Sequence, residues 1–200
     1  MTQNAGFLEE PPSSSQAQEL YDEDLEESGY VWNVTRLWAY QPDTVKQLFD
    51  LMSQAFRPSG LSFRQRGILV AATASTLGDS YCSLAWGGKL SGASDPAIAA
   101  GVLSGTDTGL TDEEKALASW ARRVVKDPNA TTAADVQALR EAGLTDEQIF
   151  AVTVFVALRL AFSTINDALG ASPDAELVKS LPEAVQASVT YGRPPAPDNL

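Results

Sequence analysis

Three times along this chain a leucine precedes a Ser or Thr that is followed, three residues later, by Gln or Glu: Leu61-Ser62-Phe63-Arg64-Gln65, Leu110-Thr111-Asp112-Glu113-Glu114 and Leu144-Thr145-Asp146-Glu147-Gln148. In such a box the hydroxyl accepts from a backbone N–H of the first helical turn. The Gln or Glu side chain in return accepts from the cap residue's own N–H. Acids in the first turn of the second and third boxes also complement the helix dipole. With Gly143 and Gly170 as C-terminal stops, the pattern predicts helices over 31–40, 43–56, 63–77, 79–91, 95–102, 112–126, 132–142 and 146–169. No run alternates with period two over β-branched residues, and Ile68-Leu69-Val70 lies inside an alanine-rich helical stretch. The predicted class is all-α.

Composition narrows the chemistry. The 200 residues contain no histidine and one cysteine, Cys82. That excludes a Ser/His/Asp triad, a Cys/His pair, an imidazole-ligated metal, an intrachain disulfide and a CxxC redox pair. Nothing in the residues requires a cofactor or a metal. A net charge of −12 disfavours nucleic-acid backbones and anionic membrane surfaces alike. The first 30 residues lack a basic start followed by an apolar run, so no secretory signal is read and a cytoplasmic location is expected. The longest apolar stretch, 149–158, is followed by Arg159 and is half the ~20 residues of a spanning helix, so it reads as a core helix. Arg159 is expected to pair with an acid or with carbonyls across a subunit interface.

The charge is uneven. Glu9, Glu10, Glu19, Asp22, Glu23, Asp24, Glu26 and Glu27 crowd the first 30 residues with no Lys or Arg, and −12 falls to −4 once those eight are set aside. Such a segment buries too little apolar surface to offset its ordering entropy. The expected organisation is a mobile acidic arm over 1–28, a helical domain over 29–181 and a Pro-containing tail over 182–200. Asp112, Glu113 and Glu114 form a dense carboxylate set, for which helix capping is a sufficient account.

The informative stretch for chemistry is Leu77-Gly78-Asp79-Ser80-Tyr81-Cys82-Ser83-Leu84-Ala85-Trp86. Gly78 ends one helix and Asp79 caps the next, placing Cys82 in a first turn, where free N–H groups and the dipole favour thiolate. Steps of three and four put Asp79, Cys82 and Trp86 on one face, with Asp79 opposing the thiolate if its charge faces the sulfur. The alternative reading of a lone cysteine among alanines and aromatics is a small core residue.

These residues resemble the core of the alkylhydroperoxidase D-like and carboxymuconolactone decarboxylase superfamily, and within it the uncharacterised peroxidase-related branch. The resemblance runs from about residue 29 to 172. It is carried by Val31-Trp32-Asn33-Val34-Thr35-Arg36, by the helix opening at Leu61-Ser62 with Arg64 and Arg66, by the segment from Asp79 to Trp86, and by Leu110 to Leu117, Asp127-Pro128, Leu139 to Gly143 and Asp167 to Gly170. It implies an all-helical, homo-oligomeric subunit with a Cys-x-x-Cys-x-x-x-His site at a helix start. In active relatives one cysteine attacks the peroxide, the other resolves the sulfenic acid, and a Glu with the His relays protons. Position by position, the second cysteine is Cys82, the first falls on Asp79, the histidine on Trp86 and the relay glutamate on Gly67.

Three functions follow. One is a peroxidase-like oxidoreductase working through Cys82 with Asp79 as base, Tyr81 and Trp86 against the hydroperoxide, and an external thiol reductant. Another is a non-redox decarboxylase or isomerase using Asp79. The last is a non-catalytic helical oligomer that binds a ligand or partner.

Overall fold

The computed structural model describes residues 6–197. Every regular element among them is helical: α1 Ser15–Ser28, α2 Asn33–Trp38, α3 Pro42–Phe56, α4 Phe63–Leu77, α5 Ser80–Ala93, α6 Pro96–Ser104, α7 Asp112–Lys126, α8 Ala133–Glu141, α9 Asp146–Ala168, α10 Ala175–Ser180 and α11 Glu183–Ser188. The reciprocal caps expected at Ser62, Thr111 and Thr145 all form, and a fourth, Thr132 with Asp135, opens α8.

The core is arranged around α4, which packs chiefly against α5 and α7 and also touches α6 and α9. Its residues Gly67 to Ala74 are all buried, which explains why this helix reads as apolar on every side. At Gly67 α4 comes close to α5: a Cβ there would lie 3.3 Å from Leu90 Cβ. A second close approach falls at Gly87, where a Cβ would stand 2.8 Å from Val185 and 2.9 Å from Leu103. The α9 helix is long and apolar enough to cross a membrane, but Val152, Phe155, Val156, Arg159, Ser163 and Asn166 are buried in the protein, as expected of a core helix.

Parts of both terminal segments are helical. Residues 1–5 of the acidic arm lie outside the described residues, but most of the remainder of that segment is the helix α1. Ser14 caps it by accepting from the Ala17 N–H, Ala17 and Leu20 are buried, and Lys46 of α3 reaches Glu19 and Glu23 at 3.3 Å each. Most of the acids stay exposed, while Asp24 is half-buried and accepts from the Trp32 N–H at 3.0 Å, so two docked apolar residues, a cap and this bond hold a segment whose composition argued for mobility. In the C-terminal segment, α11 is anchored by the fully buried Val185. Beyond it, irregular chain folds back over the start of α5. Ser80 Oγ donates to the Arg193 carbonyl at 2.7 Å and Tyr191 Oη donates to Ser83 Oγ at 3.1 Å. Residues 198–200 of the tail lie outside the described residues.

Candidate functional site

The α5 helix begins as the sequence suggests. Gly78 closes α4 in the left-handed region at φ 88°, and Asp79 Oδ1 accepts from the Cys82 N–H at 2.9 Å. The cap and the close cover of the C-terminal segment leave Asp79 with no exposed surface, and its Oδ2 has no hydrogen-bond partner. Cys82 is 3 % exposed.

What faces the Cys82 sulfur is a cation. Arg159 Nη2 lies 3.5 Å from Cys82 Sγ, and Arg159 Nη1 lies 4.0 Å from Met52 Sδ. Among the described residues of this chain Arg159 has sulfur atoms and aromatic rings around it and no ion pair. Its place on α9 turns it into the core, where its guanidinium lies over the rings of Phe162 at 5.1 Å and Trp86 at 5.5 Å. Burial pushes the Cys82 thiol well above its ordinary pKa and the Asp79 carboxylate adds to that, while Arg159 and the Ser163 side chain act in the opposite direction. The helix start thus does not deliver a ready thiolate: dehydration outweighs the dipole.

Trp86 belongs to this cluster, one helical turn after Cys82. Besides Arg159, it carries the guanidinium of Arg66 at 5.4 Å and the ammonium of Lys89 at 5.3 Å. Tyr81 does not belong to it. Its hydroxyl donates to the Asp174 carboxylate on the other side of α5, in a separate apolar group with Leu37, Leu84 and Leu177. Burial raises Asp174 to about 6 despite that bond. The period that puts Asp79, Cys82 and Trp86 on one face necessarily turns residue 81 away. Gly67, which the resemblance aligns with a relay glutamate, lies against Leu90, whose Cβ is 3.3 Å from where a Cβ would stand, so any side chain there requires Leu90 to shift. Glu114 is committed as the cap partner of Thr111 and the ion-pair partner of Arg64 at 2.6 Å, while Glu113 accepts from Gln65 and Asp112 pairs with Lys115.

A cleft of about 510 Å³ opens nearby, between α1, α3 and the core, lined among others by Trp32, Trp38, Phe49 and Phe162 and by the carboxylates of Glu27 and Asp50. Cys82 and Asp79 do not line it; Phe162 is the wall it shares with Arg159. Arg66, Arg159, Ser163 and Phe162 are the site residues that the helix-start motif does not reveal. Arg159 is signalled only by being the one charge inside an apolar helix.

The all-helical arrangement around α4 has the fold of an alkylhydroperoxidase AhpD core. Two solved structures share it: an uncharacterised peroxidase-related protein from Ralstonia eutropha, described as an alkylhydroperoxidase AhpD core, at TM-score 0.77 and 23 % identity over 88 % of this chain and 96 % of that one; and an uncharacterised peroxidase-related protein from Silicibacter sp. at TM-score 0.76 and 18 % identity over 88 % and 95 %. No family model and no curated protein matches the chain.

Proposed function

We propose that this protein is a single-cysteine, peroxidase-type oxidoreductase on the AhpD-core fold, with Cys82 as the redox centre and Arg159 as its cationic partner. The observation that carries this reading is the Arg159 guanidinium at 3.5 Å from Cys82 Sγ, with no ion-pair carboxylate among the described residues. A positive charge held there favours both the thiolate and the oxygen that develops charge when a peroxide bond breaks. In the step proposed, the Cys82 thiolate attacks the terminal oxygen of an organic hydroperoxide. The O–O bond breaks, the alkoxide takes up a proton and leaves as the alcohol, and Cys82 becomes a sulfenic acid. One external thiol then forms a mixed disulfide and releases water. A second thiol frees Cys82 and leaves as the external disulfide. Asp79, with its unpartnered Oδ2, is the residue placed to exchange the thiol proton.

Because Cys82 is closed in, turnover requires the cover over the start of α5 to part, and slow oxidation is expected. The test is consumption of cumene hydroperoxide with dithiothreitol as reductant, with trapping of the sulfenate by a dimedone reagent. Wild type should turn over and label at Cys82, and Cys82→Ser should do neither. Equal rates in the two proteins would overturn the reading. Self-association, expected from the resemblance, is proposed as part of it: Phe63 and Phe150 stand 53 % and 71 % exposed on α4 and α9. The closed thiol and the separate 510 Å³ cleft favour a second reading, a binding protein without turnover.

A further inference from the structure

Arg66 and Arg159 hold their guanidinium groups 5.4 and 5.5 Å from the centre of the same Trp86 ring. Arg66 also lies over Phe56 at 5.6 Å and Phe155 at 5.5 Å. The Nε of each arginine is buried and has no hydrogen-bond partner. Neither has an ion-pair partner among the described residues, whereas Arg64 is held by Glu114 and Arg122 by Asp107, each at 2.6 Å. Burial, and to a lesser degree the charge of Arg159, push Arg66 below its ordinary pKa.

Asp79 bears on Cys82 and forms no ion pair with either arginine among the described residues, so no bound carboxylate neutralises the two guanidinium groups. Aromatic faces offset part of the cost of burying a guanidinium, but they do not satisfy its N–H groups. A carboxylate does, because its two oxygens match the donor fork of an arginine. The surrounding rings of Phe56, Phe155 and Trp86 suit an apolar body behind that carboxylate. The approach is from the side of Arg66, which is only partly buried, where Phe63 is 53 % exposed with its ring 6.0 Å from Trp86.

We propose that Arg66 and Arg159, gathered on Trp86, form a binding site for the carboxylate of a small organic acid with an apolar body. The neighbouring cleft does not serve this purpose, since Glu23, Asp24, Glu27 and Asp50 outnumber Lys46 and Lys89 on its walls.

The probe is benzoate, with neutral benzamide as its isostere and sodium chloride at matched ionic strength as the salt control, read by calorimetry and by tryptophan fluorescence on the full chain. Saturable benzoate binding is expected, at least tenfold weaker in Arg66→Gln, a substitution at a partly exposed position that leaves the core packing in place. Arg159→Met should abolish it. Cys82→Ser should bind benzoate as wild type does, which separates this site from the redox reading: a protein that binds benzoate yet never oxidises Cys82 sinks only the latter. No saturable benzoate binding, equal affinity in Arg66→Gln, or an equal response to benzamide or chloride would overturn the proposal.

Discussion

Arg159 on α9 faces Cys82 on α5 across 3.5 Å, joining two helices 77 positions apart in the chain through a guanidinium and a thiol. Arg159 is the only one of the influences on Cys82 that brings a positive charge, and it works against burial and Asp79. Arg159→Met keeps the stem and removes the charge, so the Cys82 thiol should titrate higher still. Alkylation by iodoacetamide at pH 8, followed by intact mass, is expected to slow by about tenfold, equivalent to one pKa unit. An unchanged rate would mean that opening of the cover, and not thiolate formation, limits the reaction.

Asp79 provides the opposite test. Asn caps a helix as well as Asp does, so Asp79→Asn preserves the acceptor for the Cys82 N–H while removing the negative charge. The thiol should then titrate lower and alkylate faster than in wild type, with thermal stability little changed. Asp79→Ala also loses the cap and should cost about 1 kcal/mol in urea unfolding. If Asp79 also exchanges the thiol proton, Asp79→Asn will alkylate faster yet turn over hydroperoxide more slowly, a divergence that a purely structural carboxylate would not produce.

The legible parts of this molecule are those written in adjacent residues. Four helix starts are reciprocal caps, and three of them, at Ser62, Thr111 and Thr145, carry the leucine-preceded signature; the all-α class and most boundaries follow from local chemistry. Asp79 as the cap that sets the phase of Cys82 and Trp86 is equally local. What the sequence hides is long-range. The orientation of Arg159 depends on which face of a nearly all-apolar α9 meets α5. Tyr81 goes to Asp174, 93 positions away, for the same kind of reason. The acidic α1 is hidden differently: its net composition argues for disorder, while its stability rests on Ser14, Ala17, Leu20 and the two contacts of Lys46.

That account of α1 makes Leu20 decisive. Leu20→Ala removes the larger of its two buried side chains and should cost about 2 kcal/mol if the helix docks in solution. Limited proteolysis within 15–28 should accelerate while the rest of the chain resists. Equal digestion of both proteins would return this segment to the status of a mobile arm.

Gly67 offers a test of how much room the α4–α5 contact leaves. With Leu90 Cβ only 3.3 Å from where its Cβ would be, Gly67→Ala trades about 1 kcal/mol of helix propensity against a shift of α4 from α5. Gly67→Glu also forces a carboxylate into the α4–α5 contact. We expect the alanine variant to melt within a few degrees of wild type and the glutamate variant to lose about 3 kcal/mol or more. A glutamate at this position is therefore expected to damage the fold before it can assist Cys82, and hydroperoxide turnover in Gly67→Glu should not rise.

Asp167 links the site to pH. Burial, and after it the charge of Asp79, raise its carboxyl to about 6, with Arg193 pulling the other way. A group whose pKa is higher folded than unfolded takes up its proton on folding between about pH 4 and 6, so its contribution to stability is complete below that window and lost as pH rises through it. Because Asp167 is partly exposed, solvent screening reduces the effect to about 1 kcal/mol. Asp167→Asn removes this linkage. Urea midpoints measured at pH 4, 5, 6 and 7 should show the variant gaining on wild type as pH rises, with the whole change falling between pH 4 and 6. A constant difference across the series would assign the raised carboxyl elsewhere, and Asp174, which burial also holds at about 6, would be the next residue to replace.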